Sequence, residues 1–278
     1  MKRLATFGSF VLGLAAAAVA MMVLHRLAVG ALVRETVAAA AVVAAYLAGT
    51  RWLERGAVPE VARPLGGLDL AKGAALGAGL FAGVMLVLGL LGAYRVAGLT
   101  GGYRVGAGVW AALVTAVAEE TLFRGLLFRA LSATLGTWLA LLVTAALFGA
   151  AHAFNPGATL TSSVAIALEA GILLGAAYAW TRRLWLPVGV HAGWNFAEAT
   201  VFGVTESGAV QHAGLVTGHL RGADLLTGGA FGPEASVVAV VVCLVPAAWL
   251  LWRTARAGRV ERPAWSRAGA APGPALSR

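Results

Sequence analysis

Charge is what this chain has least of. Charged residues make up 12% of its 278 positions and hydrophobic ones 60%, where a soluble domain carries about 25% charged. With a mean hydropathy of +0.83, this excludes an ordinary soluble domain and implies a polytopic membrane protein. Cys243 is the single cysteine, so an internal disulfide and a thiolate metal cluster are excluded and packing is its expected role. The alternating apolar/polar segments of a membrane β-barrel are missing. No internal repeat is evident, so an inverted-repeat transporter gets no support. No His-Glu-x-x-His pair and no Gly-x-Ser-x-Gly elbow occurs, which excludes an ordinary zincin and a nucleophile-elbow hydrolase. The net charge is +9, yet no basic stripe interleaved with aromatics points to nucleic acid as a partner.

Long apolar runs are abundant. A helix needs roughly 20 apolar residues to cross a bilayer, and eight stretches qualify: 7–25, 30–50, 71–93, 105–130, 136–154, 161–181, 186–204 and 235–252. The expected fold is an all-α polytopic integral membrane bundle of about eight transmembrane helices. Glycines such as Gly77, Gly79, Gly83, Gly89 and Gly92 within one span suit close helix contact in lipid. Residues 1–104 read as N-terminal helices with a loop at 51–70, and 105–204 as a chemical core. Residues 205–254 read as an outer loop and last helix, and 255–278 as a basic disordered tail. Residues 1–24 also resemble a signal peptide. An uncleaved first helix is preferred, because the apolar run is long and a second span follows at once.

Basic residues collect at alternate span ends. Lys2 and Arg3, then Arg51, Arg55, Arg63 and Lys72, then Arg182 and Arg183, then the tail arginines fall on one side of an eight-span chain. The positive-inside rule makes that side, and both termini, cytoplasmic in a cell membrane. Arg26, Arg34, Arg95 and Arg104 fall on the other side.

Against this background three polar constellations stand out. A charged residue at a helix centre costs about 2.5–3.5 kcal/mol on an insertion scale. Glu119-Glu120 and Arg124 interrupt the first run, and the apolar text resumes at once with Leu-Phe-Arg-Gly-Leu-Leu-Phe. Glu120 and Arg124, four apart, share one helix face, while Glu119 points about 100° away. One glutamate is therefore expected to brace and the other to do chemistry. Phe148 precedes His152 by one turn and reads as a wall. A lone helical histidine is more often a packing residue. His191 and Asn195, four apart, face one way; alone they could be an interhelical hydrogen-bond clamp.

A hairpin turn near Ser132–Gly136 would leave Glu119 and His152 each roughly 20–25 Å along their helices from the turn, at similar depth. Together the residues supply a base, a second base or ligand, and oxyanion donors. Those are the parts needed to hydrolyse an amide with activated water. Glu169 and Glu198 are weaker candidates, as supporting groups or as balance for a basic partner. His25, His212 and His219 read as exposed.

Glu119-Glu120-x-x-x-Arg124, Phe148-x-x-x-His152 and His191-x-x-x-Asn195, in that order, resemble the signature of the CPBP family of intramembrane proteases (CAAX proteases and bacteriocin-processing enzymes, also called Abi). The resemblance covers about residues 105–200. It implies an intramembrane endopeptidase in which Glu119 and His152 activate water, His191 and Asn195 stabilise the oxyanion, and Glu120 and Arg124 brace the site. Its substrates would be peptides or membrane proteins. A non-catalytic immunity or adaptor protein binding peptides in the same cavity is the alternative. Glu119, His152 and His191 could hold Zn2+ with water as fourth ligand; otherwise Glu119 acts as a base without metal. Asn195, a poor zinc ligand and a good oxyanion donor, favours the second reading.

Overall fold

The computed structural model describes residues 30–53, 66–100, 105–209 and 214–267, with isolated helical positions at 8, 11, 15 and 19. The expected first span, most of the 51–70 loop, His25, His212 and the end of the tail lie outside the described residues. Apolar helices dominate. α1 is Ala31–Ala48, α2 Gly66–Leu90, α3 Val105–Glu120, α4 Arg129–His152, α5 Leu160–Ile166, α6 Ile172–Thr181, α7 Trp185–Asn195, α8 Asp224–Thr227, α9 Val237–Arg256 and α10 Ala264–Arg267. Wide π turns at Thr121–Phe128, Ala167–Gly171 and Phe196–Val201 extend α3, join α5 to α6 and extend α7. Each begins next to, or contains, one of the buried polar residues of the sequence, where such bulges concentrate.

Among the described residues, five helical runs are long and apolar enough to cross a membrane: 31–51, 66–90, 105–152, 160–181 and 237–256. The run 105–152 is two helices, because Gly136 sits at φ 78° and ψ 171° and turns the chain between them. The hairpin turn expected at Ser132–Gly136 is thus where the chain reverses. The stretch expected to span at 186–204 is shorter than a bilayer-crossing helix. α7 has 11 residues and its π extension six, and nearly every residue of α7 is buried by other helices rather than by lipid.

That burial has a sequence cause. Gly73 and Gly77 on α2 face Gly189 and Gly193 on α7, two small-x-x-x-small pairs set against each other. A Cβ on Gly77 would lie 1.9 Å from the Val190 carbonyl oxygen, and one on Gly193 2.1 Å from that of Ala74. Backbones this close leave no room for a side chain. His191 and Asn195 lie two residues from these glycines, about 200° round the helix. The clamp therefore aims them away from α2.

The chain is not wholly helical. β1 (Tyr94–Leu99) pairs antiparallel with β2 (Val216–Leu220), Tyr94 opposite Leu220 and Leu99 opposite Val216, with an irregularity between Val96 and Gly98. This ribbon joins the loop after α2 to the loop after α7. The loop after α4 meets the latter where the Asn155 amide donates to the Ser207 carbonyl at 3.0 Å. At the opposite end Arg183 pairs with Asp69 at the start of α2, and the Thr137 N–H donates to the Glu261 carbonyl beyond α9. Residues 257–263, inside the segment expected to be disordered, are held by these contacts.

Candidate functional site

The three constellations meet at the first of these ends. Glu119, His152, His191 and Asn195 line one cavity of about 700 Å³, of the size that takes a ligand. Its rim is formed by the starts of α1 and α3, the loop after α4, and residues 206–209. His152, His191 and Asn195 also line an inner cleft of about 30 Å³ with Glu169 and Glu234. That is room for about one water.

Glu120 is contacted from two sides. Its Oε1 accepts from Arg124 Nη1 at 2.7 Å and from His191 Nδ1 at 3.0 Å, and both carboxylate and guanidinium are shut off from solvent. Arg124 also donates from Nη2 to the carbonyls of Ala170 and Gly171, each at 3.3 Å, and lies 4.7 Å from the Phe148 ring centroid. One arginine thus ties α3 to the α5–α6 helix.

A carboxylate only accepts, so His191 Nδ1 carries the proton it shares with Glu120, and Nε2 is left for the cavity. His152 follows the same logic: Nδ1 lies 2.8 Å from the Phe148 carbonyl, which also only accepts. Its Nε2 is likewise the free atom. Phe148 is buried against His152, His191 and Phe123, with ring centroids 4.7, 6.2 and 5.0 Å away. Glu119 Oε2 is buried and has no hydrogen-bond partner among the described residues. The second oxygen of Glu120 is likewise buried without a partner among the described residues, so what separates the two is that Glu120 has both its contacts on Oε1 while Glu119 lines the cavity.

Among the described residues neither Glu169 nor Glu198 makes an ion pair. Glu198 accepts the Trp194 indole N–H at 3.1 Å, and both lie close to Glu234 in a buried carboxyl group of three. Glu234 accepts from the Ser207 N–H at 2.7 Å and its hydroxyl at 2.8 Å. Burial pushes the Glu234 carboxyl up, and these bonds draw it partly back. Glu206, in the cavity rim, is pushed up to about 8, first by burial and then by the charge of Glu234. Glu206, Ser207 and Glu234 escape sequence reasoning because they sit in a glycine-rich loop with no motif spacing. Cys243 is buried in the apolar core, and His219 is exposed on β2.

Among the described residues no three His, Cys, Asp or Glu side chains converge closely enough to hold a metal ion. Glu119, His152 and His191 share a cavity without forming such a cluster.

No curated protein and no solved structure matches the chain. A family model described as Rce1-like, Type II CAAX prenyl endopeptidase, matches residues 102–197, the stretch that carries all three constellations. Over that third of the chain the sequence is similar to the CAAX-protease family, and the described residues hold five helical runs long and apolar enough to cross a membrane.

Proposed function

We propose that the protein is an intramembrane endopeptidase that hydrolyses peptide bonds with a water held between Glu119 and His152. The observation that carries this is that Glu119, with a buried oxygen that has no hydrogen-bond partner among the described residues, lines the same cavity as two histidines whose Nδ1 atoms are committed elsewhere. Water in the cavity that Glu119 and His152 share donates one proton toward Glu119 and is oriented by His152 Nε2. Its oxygen attacks the scissile carbonyl carbon. The developing oxyanion receives the Asn195 amide N–H and, when His191 is protonated, its Nε2–H. As the C–N bond breaks, Glu119 returns its proton to the leaving amine. Glu120 and Arg124 do not touch the substrate; they hold His191 and Phe148 in position.

The expected result of Glu119→Ala in purified, reconstituted protein is loss of peptide cleavage by about 10²–10⁴-fold, with thermal stability kept. Wild-type cleavage should survive a strong zinc chelator. Cleavage that survives the mutation sinks the reading and favours a peptide-binding adaptor; cleavage lost with chelator replaces the base mechanism with a metal one.

The cavity opens at the end away from Arg51, Arg129, Arg182, Arg183, Arg253 and Arg256. By the positive-inside rule those arginines face the cytoplasm, so the proposed substrate is a peptide or membrane-protein segment reaching the site from the opposite side. A cysteine at Ala209 on the rim should then react with an impermeant maleimide added outside intact cells, and one at Ala257 should not. The reverse pattern inverts the orientation.

A further inference from the structure

The arginine-bearing end has a cavity of its own. About 800 Å³ in volume, it is lined by Arg129, Arg182, Arg183 and Arg259 against two carboxylates, Asp69 and Glu261. Ser132, Tyr178 and Thr181 add hydroxyls to its wall. The four guanidiniums come from three separate stretches: the start of α4, the turn between α6 and α7, which supplies two, and the segment after α9. Arg183 pairs with Asp69 at 3.0 Å and Arg182 with Glu261 at 2.7 Å. Arg259 donates to the Trp180 carbonyl and lies 4.4 Å from that ring's centroid.

Two details argue that this is a built site and not a crowd of surface charges. Arg182 is left-handed, at φ 54° and ψ 34°, a conformation uncommon for a residue with a Cβ. It holds an arginine where a glycine would turn the chain at less cost. The cavity is also far larger than two ion pairs need, and it stays open among groups that attract one another. Trp249 and Trp252 lie exposed on the neighbouring helix with Arg253 and Arg256 over their rings, the arrangement of side chains at headgroup depth.

We propose that this cavity binds a phosphate-bearing anion, and that in the membrane the anion is the headgroup of an anionic phospholipid. Guanidinium forks match phosphate oxygens, and basic pockets between helices on the cytoplasmic side take such headgroups. The segment 257–263 forms one wall, so a bound headgroup bridges that segment to α4 and to the α6–α7 turn. None of this depends on the peptidase reading.

The test titrates phosphatidylglycerol, phosphatidylcholine and inorganic phosphate into detergent-solubilised full-length protein, reading binding by native mass spectrometry. Phosphatidylglycerol should bind in preference to phosphatidylcholine. Arg129→Gln with Arg259→Gln should weaken it about thirtyfold. Arg253→Gln with Arg256→Gln removes the same charge from the same end but outside the cavity, and should weaken it only a few fold. Arg259→Gln alone, on an exposed segment, guards against misfolding and should give an intermediate loss. Saturable phosphate binding with no lipid preference, if lost in the cavity pair, keeps the site and makes a soluble anion its occupant. Equal loss in the two pairs, or no binding of either anion, overturns the proposal.

Discussion

The two ends of this bundle use charge in opposite ways. At the cavity end the ionisable groups are mostly buried and addressed by defined contacts: Glu120 takes Arg124 and His191 on one oxygen, and its other oxygen, like one of Glu119, has no hydrogen-bond partner among the described residues. At the arginine end they are many, half-exposed and paired with whatever is near, as Arg182 is with Glu261 at side-chain exposures of 30% and 35%. The same Coulomb attraction is worth little in the second setting and a great deal in the first, because water screens one and not the other. The lesson is that in a membrane protein the depth of a charge separates chemistry from anchoring.

The comparison is broken most severely at Arg124. Replacing it with methionine keeps apolar volume but leaves Glu120 buried with only His191 for company. A broken buried pair costs about 3–5 kcal/mol, so the thermal unfolding of Arg124→Met in detergent should fall sharply, and with it any cleavage activity. Adding Glu120→Gln should recover much of the stability and none of the activity, since His191 then loses its orienting carboxylate. If the double variant is no more stable than the single one, the cost lies in lost packing against Phe148 and the carbonyls of Ala170 and Gly171 rather than in stranded charge.

How far the sequence reveals this architecture depends on whether a feature is local. The apolar runs and the turn at Gly136 are local, and they are legible. So are the pairings of Glu120 with Arg124 and of His191 with Asn195 on shared helix faces, because four-residue spacing alone sets them. The clamp between α2 and α7 is half legible: Gly77 stands out within its span, but its partners Gly189 and Gly193 lie more than a hundred residues on. β1 and β2 are invisible for the same reason, being short and separated by the whole core. The arginine-, proline- and glycine-rich text after α9 reads as disorder because its order comes from distant groups, Thr137 and Arg182. Glu206 and Glu234 reach the site through a loop whose course no periodicity records.

Glu206 offers a milder and more selective test. Its carboxyl is pushed up to about 8, against about 4.3 in an unfolded chain. Between those values the folded protein holds a proton that the unfolded chain has released. Stability from this group is therefore whole below about pH 4 and is lost as pH rises through about 8. Glu206→Gln cannot ionise. Its melting temperature should match wild type in acid, decline less between pH 5 and 8, and exceed wild type above that. Parallel curves for the two proteins would mean that Glu206 is solvated as an ordinary surface glutamate, and the cavity rim would then be wetter than its lining implies.

The smallest effect belongs to the arginine end. Arg183 and Asp69 sit 3.0 Å apart with side-chain exposures of 17% and 24%, on the face where water and salt reach both. Exposed pairs of this kind contribute roughly 0–1 kcal/mol, and partial burial moves this one toward the upper part of that range. Arg183→Gln should lower the melting temperature slightly at low ionic strength and hardly at all in high salt, with cleavage unchanged. A loss as large as that of Arg124→Met would mean that the turn between α6 and α7 sets the position of α7, and with it His191. The separation of anchoring charge from chemical charge would then fail at the one place where the two ends share a helix.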